Sequence, residues 1–286
     1  MEISINGKKA DITLESEKKA GEVLKGIDAW LEGTGLYISG LEVDGAVYGA
    51  LSMEEAFALP LEGISRIDIK TSSWAELMLE ALVGLKQDFG YFETRDAEER
   101  RECRGRWENS PSALFLKKNA PELHTMVLQT LEEHFPVSAA LSVIAERIRE
   151  IENPRQEIGG AQLLIKETAE RLLDFPLDIQ TGKDARAAET ISLFSGLVEK
   201  IYRLIFLFRH FGTDIESITV PSAEGSGRVS LKEYIEEFSA ALKELTAAYE
   251  NKDTVFVGDL AEYELSPRLL CLGKALCGIQ PEEKQA

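Results

Sequence analysis

Hydrophobic positions alternate with period two in short runs through the first quarter of the chain, and from Ser73 onward they recur every three or four residues. The first pattern predicts strands with one buried face, the second helices with an apolar stripe. Ile3 and Ile5 point one way, and Asn6-Gly7 suits a two-residue hairpin turn. Ala10, Ile12 and Leu14 continue a return strand. Ser16 can cap a helix whose apolar positions are Ala20, Val23, Leu24, Ile27, Trp30 and Leu31, stopped by Gly33 and Gly35. A strand over Leu36 to Val43, a turn at Asp44-Gly45, a short strand over Ala46 to Leu51 and a last one carrying Ile64, Ile67 and Ile69 complete the region.

Two strands, one helix and three strands resemble the ubiquitin-like β-grasp fold. The spacing of Ile3-Ser4-Ile5-Asn6-Gly7, Gly21-Glu22-Val23-Leu24, Leu41-Glu42-Val43-Asp44-Gly45, Leu61-Glu62-Gly63-Ile64 and Ile67-Asp68-Ile69 is similar to its small sulfur-carrier branch. In that branch the chemistry belongs to a terminal Gly-Gly. Here the last strand runs into Thr71-Ser72-Ser73-Trp74, the Gly159-Gly160 pair is internal, and the chain ends Lys284-Gln285-Ala286. The resemblance therefore implies a fold without implying sulfur transfer.

The remainder reads as helical, with no convincing strand. Ser73 can cap a helix from Trp74 to about Phe89, and Pro111, Pro121 and Pro154 follow Ser110, Asn119 and Asn153 where helices should begin. The clearest helices run from Asp184 to about Phe211 and from Leu231 to Tyr249, each about 30 to 40 Å long. Neither can bury its stripe alone. With residues 154–174 and a last stretch from Asp253 to Leu276, kinked at Ser266-Pro267, they predict a four-helix bundle whose flexible connection is Ser222 to Gly227. Ile179-Gln180-Thr181-Gly182-Lys183-Asp184 with Ala188-Glu189-Thr190-Ile191, and Glu250-Asn251-Lys252-Asp253 with Gly258-Asp259-Leu260-Ala261-Glu262-Tyr263-Glu264-Leu265, resemble an uncharacterised group of bacterial helical proteins. The expected fold class is α+β: a β-grasp domain at 1–72, a helical connector region at 73–152 and an all-α bundle domain at 153–286.

Charge narrows the partners. The 286 residues carry 32 Lys+Arg against 50 Asp+Glu, net −18, of which −6 falls within residues 1–72. Neither region is a basic lobe, which argues against nucleic acid and anionic lipid. No uncharged run approaches the 18 or so residues that cross a bilayer, no export signal opens the chain, and Cys103, Cys271 and Cys277 form no CxxC pair. A cytoplasmic location is expected.

Complete catalytic motifs are missing. Thr181-Gly182-Lys183-Asp184 lacks the first glycine of a phosphate loop, since position 177 is Leu, and has Asp where Ser or Thr should follow Lys. It reads as a loop ending in an Asp cap. His124 and His134 are too far apart to share an ion locally, and no Glu-x-x-His precedes either, so neither a metal nor a cofactor is expected. Glu54-Glu55, Glu132-Glu133, Glu236-Glu237 and Glu282-Glu283 read as solvated faces. One segment is dense in arginine: Arg95, Arg100, Arg101, Arg104 and Arg106 lead to Trp107, suited to gripping an anion or stacking on a base. Five acidic residues are interleaved with them. Asp96 with Arg100 and Glu102 with Arg106 have the favourable i,i+4 order, so a charged surface helix is the plainer reading. Ile201 to Phe208 is hydrophobic nearly all round, either a core helix or one whose Tyr202, Phe206 and Phe208 receive a partner helix or a second copy.

These readings predict a non-catalytic cytosolic bacterial interaction protein, adaptor-like or chaperone-like, that binds another protein or itself. The alternative is an enzyme or an anion- or nucleotide-binding protein with a site between the β-grasp and helical regions.

Overall fold

The computed structural model describes residues 1–278 apart from positions 15, 32, 50–51 and 223–226. Packing divides the chain into two compact units, Met1–Ile151 and one beginning at Glu152. The first joins a mixed sheet to helices; the second is almost wholly helical.

The sheet comprises β1 (Glu2–Ile5), β2 (Lys8–Lys9), β3 (Leu36–Val43), β4 (Ala46–Tyr48) and β5 (Arg66–Ser73), in the order β2-β1-β5-β3-β4. β1 and β5 run parallel at the centre with Ile3 beside Ile67 and Ile5 beside Ile69, while the other pairings are antiparallel. Asn6-Gly7 and Asp44-Gly45 have the positive φ that two-residue turns between twisted strands require. Helix α1 (Ala20–Leu31) lays Val23, Leu24, Ile27 and Leu31 against Ile3, Leu41, Val43, Ile67 and Ile69.

Three expectations need correction here. The return strand stops at Lys9, and Ile12 and Leu14 are exposed. The α1 entry is held by the Glu22 carboxylate, which accepts from the Lys18 and Lys19 backbone N–H groups, rather than by a Ser16 cap. The expected fourth strand stops at Tyr48, positions 50–51 lie outside the described residues, and a six-residue helix, α2 (Met53–Ala58), follows.

Asp68 ties two strands together, accepting from Arg66 Nε at 2.5 Å within β5 and from the Ser4 hydroxyl on β1. The Arg66 guanidinium first, and the Ser4 hydroxyl second, hold its carboxyl below the usual carboxylate range. A depressed folded-state pKa contributes stability that is present above the unfolded value and lost as pH falls through the folded one. Melting temperatures of the native chain and Asp68→Asn should therefore differ most near neutral pH and converge below about pH 4. A gap that stays constant down to pH 2 would contradict this.

β5 passes into α3 (Trp74–Gly90) through a capping box: the Ser73 hydroxyl accepts from the Glu76 N–H, and the Glu76 carboxylate accepts from the Ser73 N–H. Then follow α4 (Ala97–Glu108), α5 (Pro111–Asn119), α6 (Pro121–Leu131) and α7 (Val137–Glu152). α3 packs on the sheet and on α5, and α4 and α5 both pack on α6, so the helices after the sheet belong to its unit.

In the second unit, α8 (Pro154–Gln180), α9 (Asp184–His210), α10 (Leu231–Glu250) and α12 (Ser266–Cys277) surround a core that includes Phe175, Phe194, Phe208, Tyr234 and Phe238. α11 (Thr254–Asp259) and a π-helical stretch at Leu260–Leu265 precede α12. Polar bonds cross between the helices. The Tyr202 and Ser239 hydroxyls are 2.9 Å apart, the Ser266 hydroxyl donates to the Ala169 carbonyl at 2.9 Å, and Gln162 donates to the Gly273 carbonyl.

The bundle region is not all α. β6 (Thr219–Pro221) and β7 (Arg228–Ser230) pair as a hairpin across the expected flexible connection, of which 223–226 lies outside the described residues. Three-residue strands hold too little alternation to register as a period. The kink expected at Ser266-Pro267 begins earlier. Proline offers no N–H to the preceding turn, and the i→i+5 stretch before it accommodates the mismatch. At the other turn, Asp184 is not a cap but the first helical residue. The loop is closed by buried Asp178, 3.1 Å from Arg186 and 3.4 Å from Lys183. The Thr-Gly-Lys phrase thus has a structural partner in its own loop.

Candidate functional site

The arginine-dense segment forms α4, and its start explains where its charges go. The Asp96 carboxylate accepts from the Glu98 and Glu99 N–H groups, and the Glu99 carboxylate returns to the Asp96 N–H. Asp96 is thereby committed to the cap, and Arg100 turns elsewhere. It lies 3.0 Å from Glu133 and over the Phe92 ring at 5.5 Å. Arg104 reaches Glu108 and Glu132, each at 2.8 Å. Glu132 and Glu133, expected as a solvated pair, are the acidic partners of α4. A recess of about 300 Å³ beside them, lined by Phe92, Arg100, Glu133 and His134, already contains its counter-charge.

Arg101 is exposed and donates to the Ala97 carbonyl of its own helix at 3.1 Å. Arg95 and Arg106 are the two that converge. With Asp88, Cys103, Trp107, Ser110 and Ser112 they line a cleft of about 380 Å³ between α3, α4 and α5, floored by Ala81, Gly84 and Leu85. Arg95 donates to the Cys103 sulfur at 2.8 Å and approaches Asp88 at 3.7 Å, and Arg106 has no ion pair among the described residues. The five arginines thus divide into a pair facing the end of α6, a pair lining the cleft and one on the surface.

Trp107 cannot stack on a base. It is 6% exposed, with its ring 5.1 Å from that of His124, whose pKa is lowered by burial and then by Lys117. Its Nε1–H is buried and has no acceptor among the described residues. The α5 N-terminus faces the same cleft: the Ser110 hydroxyl accepts from the Ala113 N–H at 3.1 Å, and Pro111 occupies the first helical position. That leaves the Ser112 N–H, in the first turn, without an intrahelical carbonyl.

The proposed partner residues separate. Phe208 is fully buried in the second unit, so it is corrected to a core residue. Tyr202 is half-buried with its hydroxyl at Ser239, and burial raises its pKa. Phe206 is 45% exposed and meets His210 edge-on at 4.4 Å.

A different apolar face was not anticipated. α8 buries Ile158, Ala161, Ile165, Leu172 and Phe175, yet leaves Leu163, Leu173 and Leu177 at 79%, 51% and 56% exposure. At ten and fourteen residues beyond Leu163, the other two lie within about 80° of it around the helix and extend about 21 Å along it. α11 abuts the same end of α8, with Gly258 against Pro176, and exposes Val255 and Phe256. The signal in the sequence was a stripe wider than one core face needs.

Among the described residues, no three His, Cys, Asp or Glu side chains converge to hold a metal ion. No described helix is long and apolar enough to cross a membrane.

Comparison with known proteins divides the chain similarly. A family model described as the TP0873 N-terminal domain matches residues 1–73, and one described as a domain of unknown function (DUF8042) matches residues 158–274. An uncharacterized protein of Treponema pallidum (strain Nichols) is 31% identical over 116 residues, 38% of this chain and 54% of that protein. The chain thus spans about half the length of the curated relative it matches. No solved structure matches. The leucine face lies within the second matched segment, and the residues that line the cleft belong to the first unit, in the stretch of sequence that neither model matches.

Proposed function

We propose that the chain is a non-catalytic, cytoplasmic bacterial interaction protein. In this reading a β-grasp module is followed by a helical unit that holds another protein on the outer face of α8. The sheet order β2-β1-β5-β3-β4, with β1 and β5 parallel and one long helix across it, is the arrangement that supports the β-grasp assignment. Fold alone carries no activity.

The observation that carries the reading is the leucine face. Isolated exposed apolar residues are ordinary on any protein. Three large leucines on one face of one helix form the kind of surface a partner helix covers, and α11, which packs on α8, exposes a valine and a phenylalanine as well. Three free cysteines fit the reducing cytoplasm. The enzyme or nucleotide reading loses its stacking residue, because Trp107 is buried.

Replacing Leu173 and Leu177 by Ser removes exposed apolar area without opening a core cavity. Affinity purification from native cells should recover a partner with the unaltered chain and at least tenfold less with Leu173→Ser/Leu177→Ser, since losing about 1.4 kcal/mol is a tenfold change. Thermal unfolding should be nearly unchanged. Equal recovery with both proteins, or no partner with either, would overturn the reading.

A further inference from the structure

The geometry points to the cleft between α3, α4 and α5 as a binding site for a small organic phosphate monoester. Three observations meet there. Arg95 and Arg106 bring two guanidinium groups to one cleft in a chain of net charge −18. The first turn of α5 presents the Ser112 N–H beside the Ser112 hydroxyl, and a helix N-terminus favours negative charge. The wall includes Trp107, nine-tenths buried, whose indole N–H has no acceptor among the described residues.

The ligand class follows from the donors and the space. Planar guanidinium forks match phosphate oxygens, and the donors come from three places in the chain, α4, α5 and the segment before α4. A volume of about 380 Å³ exceeds what a phosphoryl group fills and lies at the lower end of small-molecule sites. Ala81, Gly84 and Leu85 provide an apolar floor for the ester's organic part. Asp88 opposes the anion. Its carboxylate is half exposed and only loosely engaged with Arg95 at 3.7 Å, so it can turn to solvent as the phosphate takes its place. This site is separate from the α8 face and stands or falls independently of it.

Isothermal titration of the full-length chain with phenyl phosphate, inorganic phosphate, benzoate and adenosine monophosphate tests the inference. Phenyl phosphate should bind saturably, at least tenfold tighter than benzoate, because a carboxylate engages fewer of the donors. Inorganic phosphate should bind more weakly for want of the organic part. Adenosine monophosphate should be weaker than phenyl phosphate, because the indole face is covered. Arg106→Gln should lower phenyl phosphate affinity about tenfold, and Asp88→Asn should raise it. Arg104→Gln, whose charge is engaged outside the cleft, should leave it unchanged. Arg106 is exposed and without an ion pair among the described residues, so its variant should fold, as its melting temperature will show. No saturable heat, benzoate binding as tightly as phenyl phosphate, or unchanged affinity in Arg106→Gln would each overturn the assignment.

Discussion

Phe208→Ala will lower the unfolding free energy of the helical unit by about 3–5 kcal/mol, the range for a large buried aromatic that leaves a cavity. Phe208 is completely buried, in a core shared with Phe194 and Phe238, whose rings meet edge-on at 6.4 Å. Neighbours held by four helices cannot collapse into the vacated space without disturbing their own packing. Two residues earlier, Phe206→Ala should cost only about 1–2 kcal/mol, because nearly half of that ring is already in water. Denaturant unfolding of both full-length variants separates the two positions. Equal losses would mean that α9 is rotated from the orientation described. Since domains are stable by about 5–15 kcal/mol, the first change removes a large fraction of the total.

The second large effect is at a glycine. A β-carbon at Gly21 would lie 2.7 Å from the Phe57 ring, 2.9 Å from its Cβ and 2.8 Å from its carbonyl oxygen. The ring can swing aside, but the carbonyl belongs to the α2 backbone. Gly21→Ala must therefore push α1 and α2 apart, at about 1–3 kcal/mol as for other overpacked sites. Gly26, on the same helix, has nothing within 4 Å of that position. There the same substitution should stabilise by about 0.5–1 kcal/mol, by restricting the unfolded chain and improving helix propensity. Opposite signs for two Gly→Ala changes five residues apart are the expected result. Two stabilising changes would contradict the close approach of α1 and α2.

Much of the architecture was legible because its signals are local. Asn6-Gly7 and Asp44-Gly45 announced turns by their tolerance of positive φ, and Ser73 and Ser110 sit as caps before their helices. What escaped depends on tertiary partners. The β6–β7 hairpin has three residues per strand, too few to show a period, and α2 has only six residues. In α4, i,i+4 spacing pairs Asp96 with Arg100, but the helix start needs that carboxylate for its own N–H groups, and Arg100 finds Glu133 more than thirty residues away. The all-round hydrophobicity of 201–208 could not separate core from partner surface. Packing assigns Phe208 to the core and leaves the broader apolar exposure on α8.

The central claim, that the outer face of α8 holds another protein, is tested most directly by placing a photo-crosslinking residue at position 173 or 177 and, as a control, at exposed Glu244 on α10. After irradiation in native cells, positions 173 and 177 should give the same discrete adduct, identified by mass spectrometry as one partner or a second copy of the chain, and position 244 should give none. Absence of a discrete adduct from 173 and 177, or equal adducts from all three positions, would contradict it.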